Sequence, residues 1–236
     1  MKRKTLDLIL SIGGIAGAVL VLVLGLVLQG QATFAKDYTA TQLGAQQIFF
    51  TPADKLNGED KAPGGACLVT YATQQMLTGK QAECYANQYI AFHMAGSAER
   101  AGYPGATYAS LGGVTTELRT AATTATEALT AAQSALTAAP AGSDTTQLQA
   151  AVDAAQITAD EATAASAAGA GLRDTMFKGE SLRGLLLTVY GFSVFGDLAS
   201  QAALVCFLAA GVLLLLSLAG FVHGLRTPED KVVFTA

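Results

Sequence analysis

The sequence predicts an all-α protein held in a membrane by two helices, and three observations lead there. Two stretches without a charge, residues 8–28 and 198–222, are long enough to cross a bilayer. Between them, apolar residues recur at helical spacing, and alternating β-branched runs are few. Composition agrees: 51% of the 236 residues are hydrophobic and only 14% are charged, against about 25% charged in an ordinary soluble domain. Mean hydropathy is +0.40. A net charge of −4 without a basic patch excludes a nucleic-acid binder.

The first charge-free run, residues 8–28, spans roughly 30 Å at 1.5 Å per residue. A cleaved signal peptide would carry a shorter apolar core, about 7–15 residues, followed by a small-x-small site. Thr33-Phe34-Ala35 fits such a site poorly, so an uncleaved anchor is expected. Gly13 and Gly17 form a GxxxG, as do Gly220 and Gly224 in the second run, and such spacing lets helix backbones approach closely in lipid.

Residues 29–113 are expected to form a helical subdomain outside the membrane. A short helix over 38–50 should stop at Thr51-Pro52, because proline lacks an amide donor and restricts the residue before it. Residues 53–65, with Asn57-Gly58 and Pro63-Gly64-Gly65, have loop chemistry. Two helices, 66–77 and 80–95, should meet at Thr78-Gly79. On the second, Ala82, Tyr85, Tyr89 and Phe92 recur at helical spacing, with Ala86, Ile90 and His93 beside them. Residues 102–113 read as a second loop. Cys67 and Cys84 fall on these two helices, on the side where disulfides persist. A structural bond between them would be worth about 3 kcal/mol; free thiols or a redox pair are the alternatives, although a separation of 17 is not CxxC. Cys206 lies in the second apolar run and reads as a filler.

Residues 114–169 are an Ala/Thr-rich arm. Leu118, Ala122, Ala125, Leu129, Ala132 and Leu136 follow 4-3 spacing, and so do Leu148, Val152, Ala155, Ala159 and Ala162. Pro140-Ala141-Gly142-Ser143 lies between the two series, with a capping-box-like start at Asp144 and Gln147. The pattern predicts an antiparallel helical hairpin with a narrow Ala-lined seam; a flexible, O-glycosylated linker is the alternative. Gly169-Ala170-Gly171 should break the arm. An amphipathic interfacial helix then runs over 170–197, with Leu182, Leu185, Leu186 and Val189 on one side and Tyr190, Phe192 and Phe195 near the interface, where aromatic side chains anchor. It leads through Gly196-Asp197 into the second membrane helix, 198–222, and a tail, 223–236.

Orientation follows from the flanks. Lys2, Arg3 and Lys4 precede the first run, and Arg226 and Lys231 follow the second, whereas the intervening segment holds nine basic and fifteen acidic residues. Short basic flanks stay cytoplasmic. The expected topology places residues 1–7 and 223–236 in the cytoplasm and residues from about 30 to 197 outside the plasma membrane.

The chemistry is restricted by two histidines, His93 outside and His223 at the inner end of the second run. A 2-His-1-carboxylate iron site needs both on one side. A zinc site from His93, Cys67 and Cys84 would compete with the disulfide. No GxSxG, Walker A, GxGxxG or HExxH occurs. No catalytic residue, cofactor or metal is expected. Charge-free membrane helices also speak against a transport pore.

Several phrases resemble an uncharacterised family of actinobacterial membrane proteins with two transmembrane helices. They are Lys4-Thr5-Leu6-Asp7, Ala45-Gln46-Gln47-Ile48-Phe49-Phe50, Tyr85-Ala86-Asn87-Gln88-Tyr89-Ile90-Ala91-Phe92-His93, Tyr108-Ala109-Ser110, and Phe177-Lys178-Gly179-Glu180-Ser181-Leu182-Arg183-Gly184-Leu185-Leu186-Leu187. The likeness covers both membrane helices and most of the outer segment; the Ala/Thr arm resembles an expansion that most members lack. Members are often labelled aromatic ring-opening dioxygenases, which implies an iron site that two histidines on opposite sides of a membrane do not make. The expected function is therefore a non-enzymatic scaffold in the cell envelope, in contact with the bilayer and with another membrane or envelope protein. An envelope enzyme or ligand-binding sensor with a pocket near His93, Tyr85 and Tyr89 is the alternative.

Overall fold

In the computed structural model, residues 2–228 are described. The fold is all-α, with no strand among the described residues. Helix α1 covers Arg3–Ala45, α2 Ala66–Thr70, α3 Gly79–Cys84, α4 Ala91–Arg100, α5 Leu111–Thr137 and α6 Thr146–Arg226; a π-helical stretch, Tyr85–Ile90, joins α3 to α4. Two of these helices, α1 and α6, are long and apolar enough to cross a membrane. Internal contacts divide the chain into two compact units.

The first unit contains residues 1–50, 73–83 and 187–236. Here α1 and the second half of α6 pack antiparallel. A Cβ on Gly25 would meet Cys206 and Phe207, one on Gly196 would meet Ala35, one on Gly220 would meet Ser11, and one on Gly224 would meet Asp7. The buried positions on α1 include Ser11, Ala18, Gly25, Ala32 and Thr39, seven residues apart. On α6 the matching series is Ala203, Ala210, Ser217 and Gly224. A seven-residue repeat keeps one face of each helix on its partner. Because the residues are small, the backbones come close, and packing rather than water exclusion holds such a pair in lipid. Large apolar side chains point outward, among them Leu20 and Leu215, 71% and 69% exposed.

Two sequence expectations change around the segments 38–50 and 66–77. A separate helix over 38–50 does not exist: with no proline between 29 and 45, α1 continues to Ala45, and Gln47 then turns the chain with φ +53°. Phe49 and Phe50 lie beyond the helix, where Phe49 forms an antiparallel bridge with Gln75 and the Phe50 amide donates to the Gln74 carbonyl at 2.9 Å. The helix expected over 66–77 is correspondingly only Ala66–Thr70, since Gln75 and Met76 are used in that pairing. Thr78 and Gln81 form a capping box at the start of α3. The Gln81 amide donates to Thr78 Oγ1 at 3.2 Å, and Gln81 Oε1 accepts from the Thr78 amide at 3.0 Å.

The second unit contains residues 51–72 and 84–186. Its core joins Ala98, Leu111, Leu172 and Met176, flanked by Met94, Tyr103 and Tyr108. From this base the Ala/Thr arm extends as α5 and the first part of α6. Leu118, Ala122, Ala125, Leu129, Ala132 and Leu136 are half-buried, as are Leu148, Val152, Ala155 and Ala162, while Ala159 is buried. No residue from 116 to 158 is fully buried, so the seam is the only face this part of the arm encloses.

The expected break at Gly169-Ala170-Gly171 is absent: α6 runs from Thr146 to Arg226 through those glycines and through Gly196-Asp197. A single Gly costs a helix about 1 kcal/mol relative to Ala, too little to end a long one. Gly169 serves packing instead, because a Cβ there would sit 2.6 Å from Leu118 Cδ1. α5 also starts earlier than expected, at Leu111, and takes Gly112-Gly113 into its first turn. Leu185 is 67% exposed rather than aligned with the buried Leu186.

Candidate functional site

Cys67 and Cys84 form a disulfide, with Cα atoms 6.1 Å apart. α2 supplies the first cysteine and the last residue of α3 the second. Cys206 is a free, half-buried thiol. The bond closes the loop just where the α-helix gives way to the π-helical stretch.

That stretch carries the aromatic cluster. Tyr85 and Tyr89 stack at 4.8 Å between ring centroids, and Tyr89 lies 4.3 Å from His93. His93 Nδ1 lies 2.8 Å from the Tyr89 carbonyl, and because a carbonyl only accepts, Nδ1 is the donor. Ser97 Oγ donates to the His93 carbonyl at 2.8 Å. Burial, and secondarily the charge of Tyr89, pushes the Tyr85 hydroxyl pKa up. No carboxylate pairs with His93 among the described contacts, and no group of three or more His, Cys, Asp or Glu gathers at metal-binding distance among the described residues.

Sequence reasoning missed the residue that holds this cluster in shape. Arg183, on α6, donates from Nε to the Ala86 carbonyl at 3.1 Å and from Nη2 to Asn87 Oδ1 at 3.3 Å. The Ala86 carbonyl also accepts the Ala91 amide within the π-helical stretch, so Arg183 adds a second donor to it, and a guanidinium fork suits two neighbouring acceptors. The only hint in the sequence is an isolated arginine in a leucine-rich stretch.

The arm presents a different kind of surface. On α5, Thr116, Thr120, Thr123, Thr126, Thr130 and Thr137 each donate their hydroxyl to the carbonyl four residues earlier. Their hydrogen-bonding capacity is largely spent inside the helix, so the outer faces expose methyl groups with few charges between them. Shallow hollows follow α5 on both sides. One, of about 600 Å³, is floored by Ala122, Thr126 and Ala131; the other, of about 680 Å³, by Thr120, Ala125 and Thr158.

The four glycines expected to mediate helix packing divide evenly. Gly220 and Gly224 lie against Ser11 and against Asp7 and Leu8, whereas Gly13 and Gly17 have nothing within 4 Å. On α1 the close approaches fall at Gly14, beside Ser217, and at Gly25. The signal in the sequence is the seven-residue repeat of small residues, which the GxxxG pattern does not capture.

No protein-family model matches this chain, and no curated protein or solved structure matches it.

Proposed function

We propose that this chain is a non-enzymatic integral membrane protein whose outer helical segment binds or scaffolds another envelope protein or membrane complex. In this reading α1 and the end of α6 cross the plasma membrane, both termini are cytoplasmic, and residues from about 30 to 197 lie outside. Membership of the actinobacterial two-helix family belongs to the same proposal.

The observation that carries it is the surface of the arm. An antiparallel pair of Ala/Thr helices encloses only its seam and leaves two hollows along α5, lined mostly by Ala and Thr, with Arg119 and Glu127 in one and Glu117 in the other. Small residues let another helix lie close, and internally bonded hydroxyls lower the desolvation cost of covering them. A helical partner completing a three- or four-helix bundle fits such a surface better than a small ligand does, because the hollows are open and lack convergent polar groups.

The test is purification of the full chain from native membranes in mild detergent, alongside a chain lacking residues 116–167. A membrane or envelope protein recovered in stoichiometric amount with the full chain, and lost with the arm, is the expected result. Equal recovery with both chains would remove the arm from the function.

The alternative reading, a ligand site at Tyr85, Tyr89 and His93, draws on the π-helical stretch, since π-bulges are frequent at functional sites. His93→Ala separates the two readings. A scaffold keeps its partner, whereas a sensor loses its response with the fold intact.

A further inference from the structure

The first unit contains a cleft that neither the arm nor the aromatic cluster uses. It lies between α1, the outer end of α6 and the residues that open α3, and encloses about 520 Å³. Its floor is formed by small residues, Ala32 and Gly196, where the two helices touch.

The groups facing this cleft are unusual for their idle hydrogen-bonding capacity. Thr39 is only 4% exposed, yet its Oγ1 has no hydrogen-bond partner among the described residues. A buried hydroxyl without a partner costs about 1–3 kcal/mol, so the position asks for an acceptor or donor from outside the chain. Lys36, Asp37 and Asp197 also face the cleft; none of them takes part in an ion pair or hydrogen bond among the described residues. Thr33 and Ser200 add two more uncommitted hydroxyls. Lys80, by contrast, is already engaged: Nζ donates to Tyr190 Oη at 3.1 Å and reaches Glu83 Oε2 at 3.4 Å. The cleft thus offers one free ammonium with several hydroxyl donors, and two free carboxylates.

Its height along the helices is set by the apolar runs. The apolar run of α1 ends at Leu28, before Gln29, and that of α6 begins at Leu198, after Asp197, so the cleft starts where the hydrocarbon would end. Aromatic side chains ring the same turns. Phe34 and Tyr38 stack at 5.6 Å, Tyr38 meets Phe192 at 6.3 Å, and Phe34 and Phe195 are 57% and 73% exposed. Amphipathic and aromatic side chains at this position mark the headgroup layer.

We propose that this cleft binds a zwitterionic phosphate–ammonium group of the phosphoethanolamine type, presented by a phospholipid of the outer leaflet. Lys36 and the hydroxyls of Thr33, Thr39 and Ser200 meet the phosphate oxygens, and Asp37 and Asp197 meet the ammonium. Opposite charges in the site match opposite charges in the ligand, which a purely anionic headgroup would not do. The proposal rests on the reading of α1 and α6 as membrane helices.

The experiment uses the full chain in detergent, analysed by native mass spectrometry and thermal unfolding. The probes are phosphatidylethanolamine, phosphatidylglycerol, diacylglycerol and soluble phosphoethanolamine. Phosphatidylethanolamine should be retained and should raise Tm; phosphatidylglycerol and diacylglycerol should bind at least about tenfold more weakly, a difference of about 1.4 kcal/mol. Lys36→Gln and Asp197→Asn should each lose about tenfold. Thr39→Val, which removes the idle hydroxyl without changing shape, should leave Tm unchanged or higher without lipid and abolish the lipid-dependent rise. Equal retention by the parent and all three variants, or equal retention of all three lipids, would overturn the proposal. Stronger retention of soluble phosphoethanolamine than of the lipid would overturn the lipid source. Carbonate extraction of the same chain from vesicles judges the membrane reading separately. A chain that stays in the vesicles without lipid selectivity defeats the cleft alone, and a chain that is released defeats the membrane reading and the proposal with it.

Discussion

At the scale of single residues, Arg183 shows how a charged group inside a helical protein earns its place. Its two bonds reach the Ala86 carbonyl, which the Ala91 amide also meets, and the Asn87 side chain, and so tie the π-helical stretch to α6. Arg183→Ala should lower stability by about 2 kcal/mol, the range for a charge-assisted hydrogen bond and the partner it leaves unmet. Denaturant unfolding checks this, and an unchanged midpoint would mean that the π turn holds by other contacts. The neighbouring Tyr85 gives a pH signature. Its raised pKa means that the folded chain keeps this proton longer than the unfolded chain does. The contribution to stability is whole below the ordinary tyrosine value, about 10, and disappears as pH rises through the raised folded value. A tyrosine absorbance titration should therefore show a late-ionising group that Tyr85→Phe removes. The disulfide makes a third statement at this scale. Peptide mapping without reduction should yield one crosslinked pair, Cys67 with Cys84, and an alkylated Cys206; two alkylatable outer thiols would contradict the bond. None of the bonding at Arg183 was legible beforehand. A hydrogen bond between residues about a hundred positions apart leaves no trace in local periodicity, whereas two cysteines on adjacent helices do.

At the scale of elements, legibility depended on contrast. The arm's seam could be read because leucines stand out against alanine and threonine, and the half-buried positions are those of the 4-3 series. The pair of long apolar helices hid its seam because nearly every position there is apolar or small, so the repeat at Ser11, Ala18, Gly25 and Ala32 blended into its surroundings. Glycines misled for a related reason. Their local cost is about 1 kcal/mol, and the close packing they permit outweighs it at Gly169 and Gly196. Two pairs of variants separate these effects. Gly25→Leu would drive a side chain into Phe207, whose ring carbon lies 2.7 Å from the new Cβ, while Gly13→Leu points into open space. Only the first should weaken the helix pair, by about 1–3 kcal/mol for overpacking, read as lost thermal stability in detergent. In the arm, Ala132→Glu should splay the hairpin by placing an unpaired charge in the seam, and exposed Ala121→Glu should not. Hydrogen exchange over residues 111–168 distinguishes them; equal protection in both variants would mean that the seam contributes nothing.

At the scale of the whole chain, the strongest sequence signal was the simplest. Two charge-free runs specify two helices that are long enough to cross a bilayer, because a backbone inside hydrocarbon has to bond to itself. They leave open which side each end faces. That follows from the flanks: Lys2, Arg3 and Lys4 on one side, Arg226 on the other, against a net-acidic segment between them. Lys231, part of the same argument, lies outside the described residues. Because a cationic flank is held back on the cytoplasmic side more strongly than an acidic segment, both ends should share a compartment and the segment between them should occupy the other. With Cys206 replaced by Ala, a cysteine introduced as Thr5→Cys should resist a membrane-impermeant maleimide in intact cells, and one introduced as Asp60→Cys should react. Permeabilisation should equalise them. Equal labelling before permeabilisation would place positions 5 and 60 on one side, and the arm would then have to find its partner in the cytoplasm rather than in the envelope.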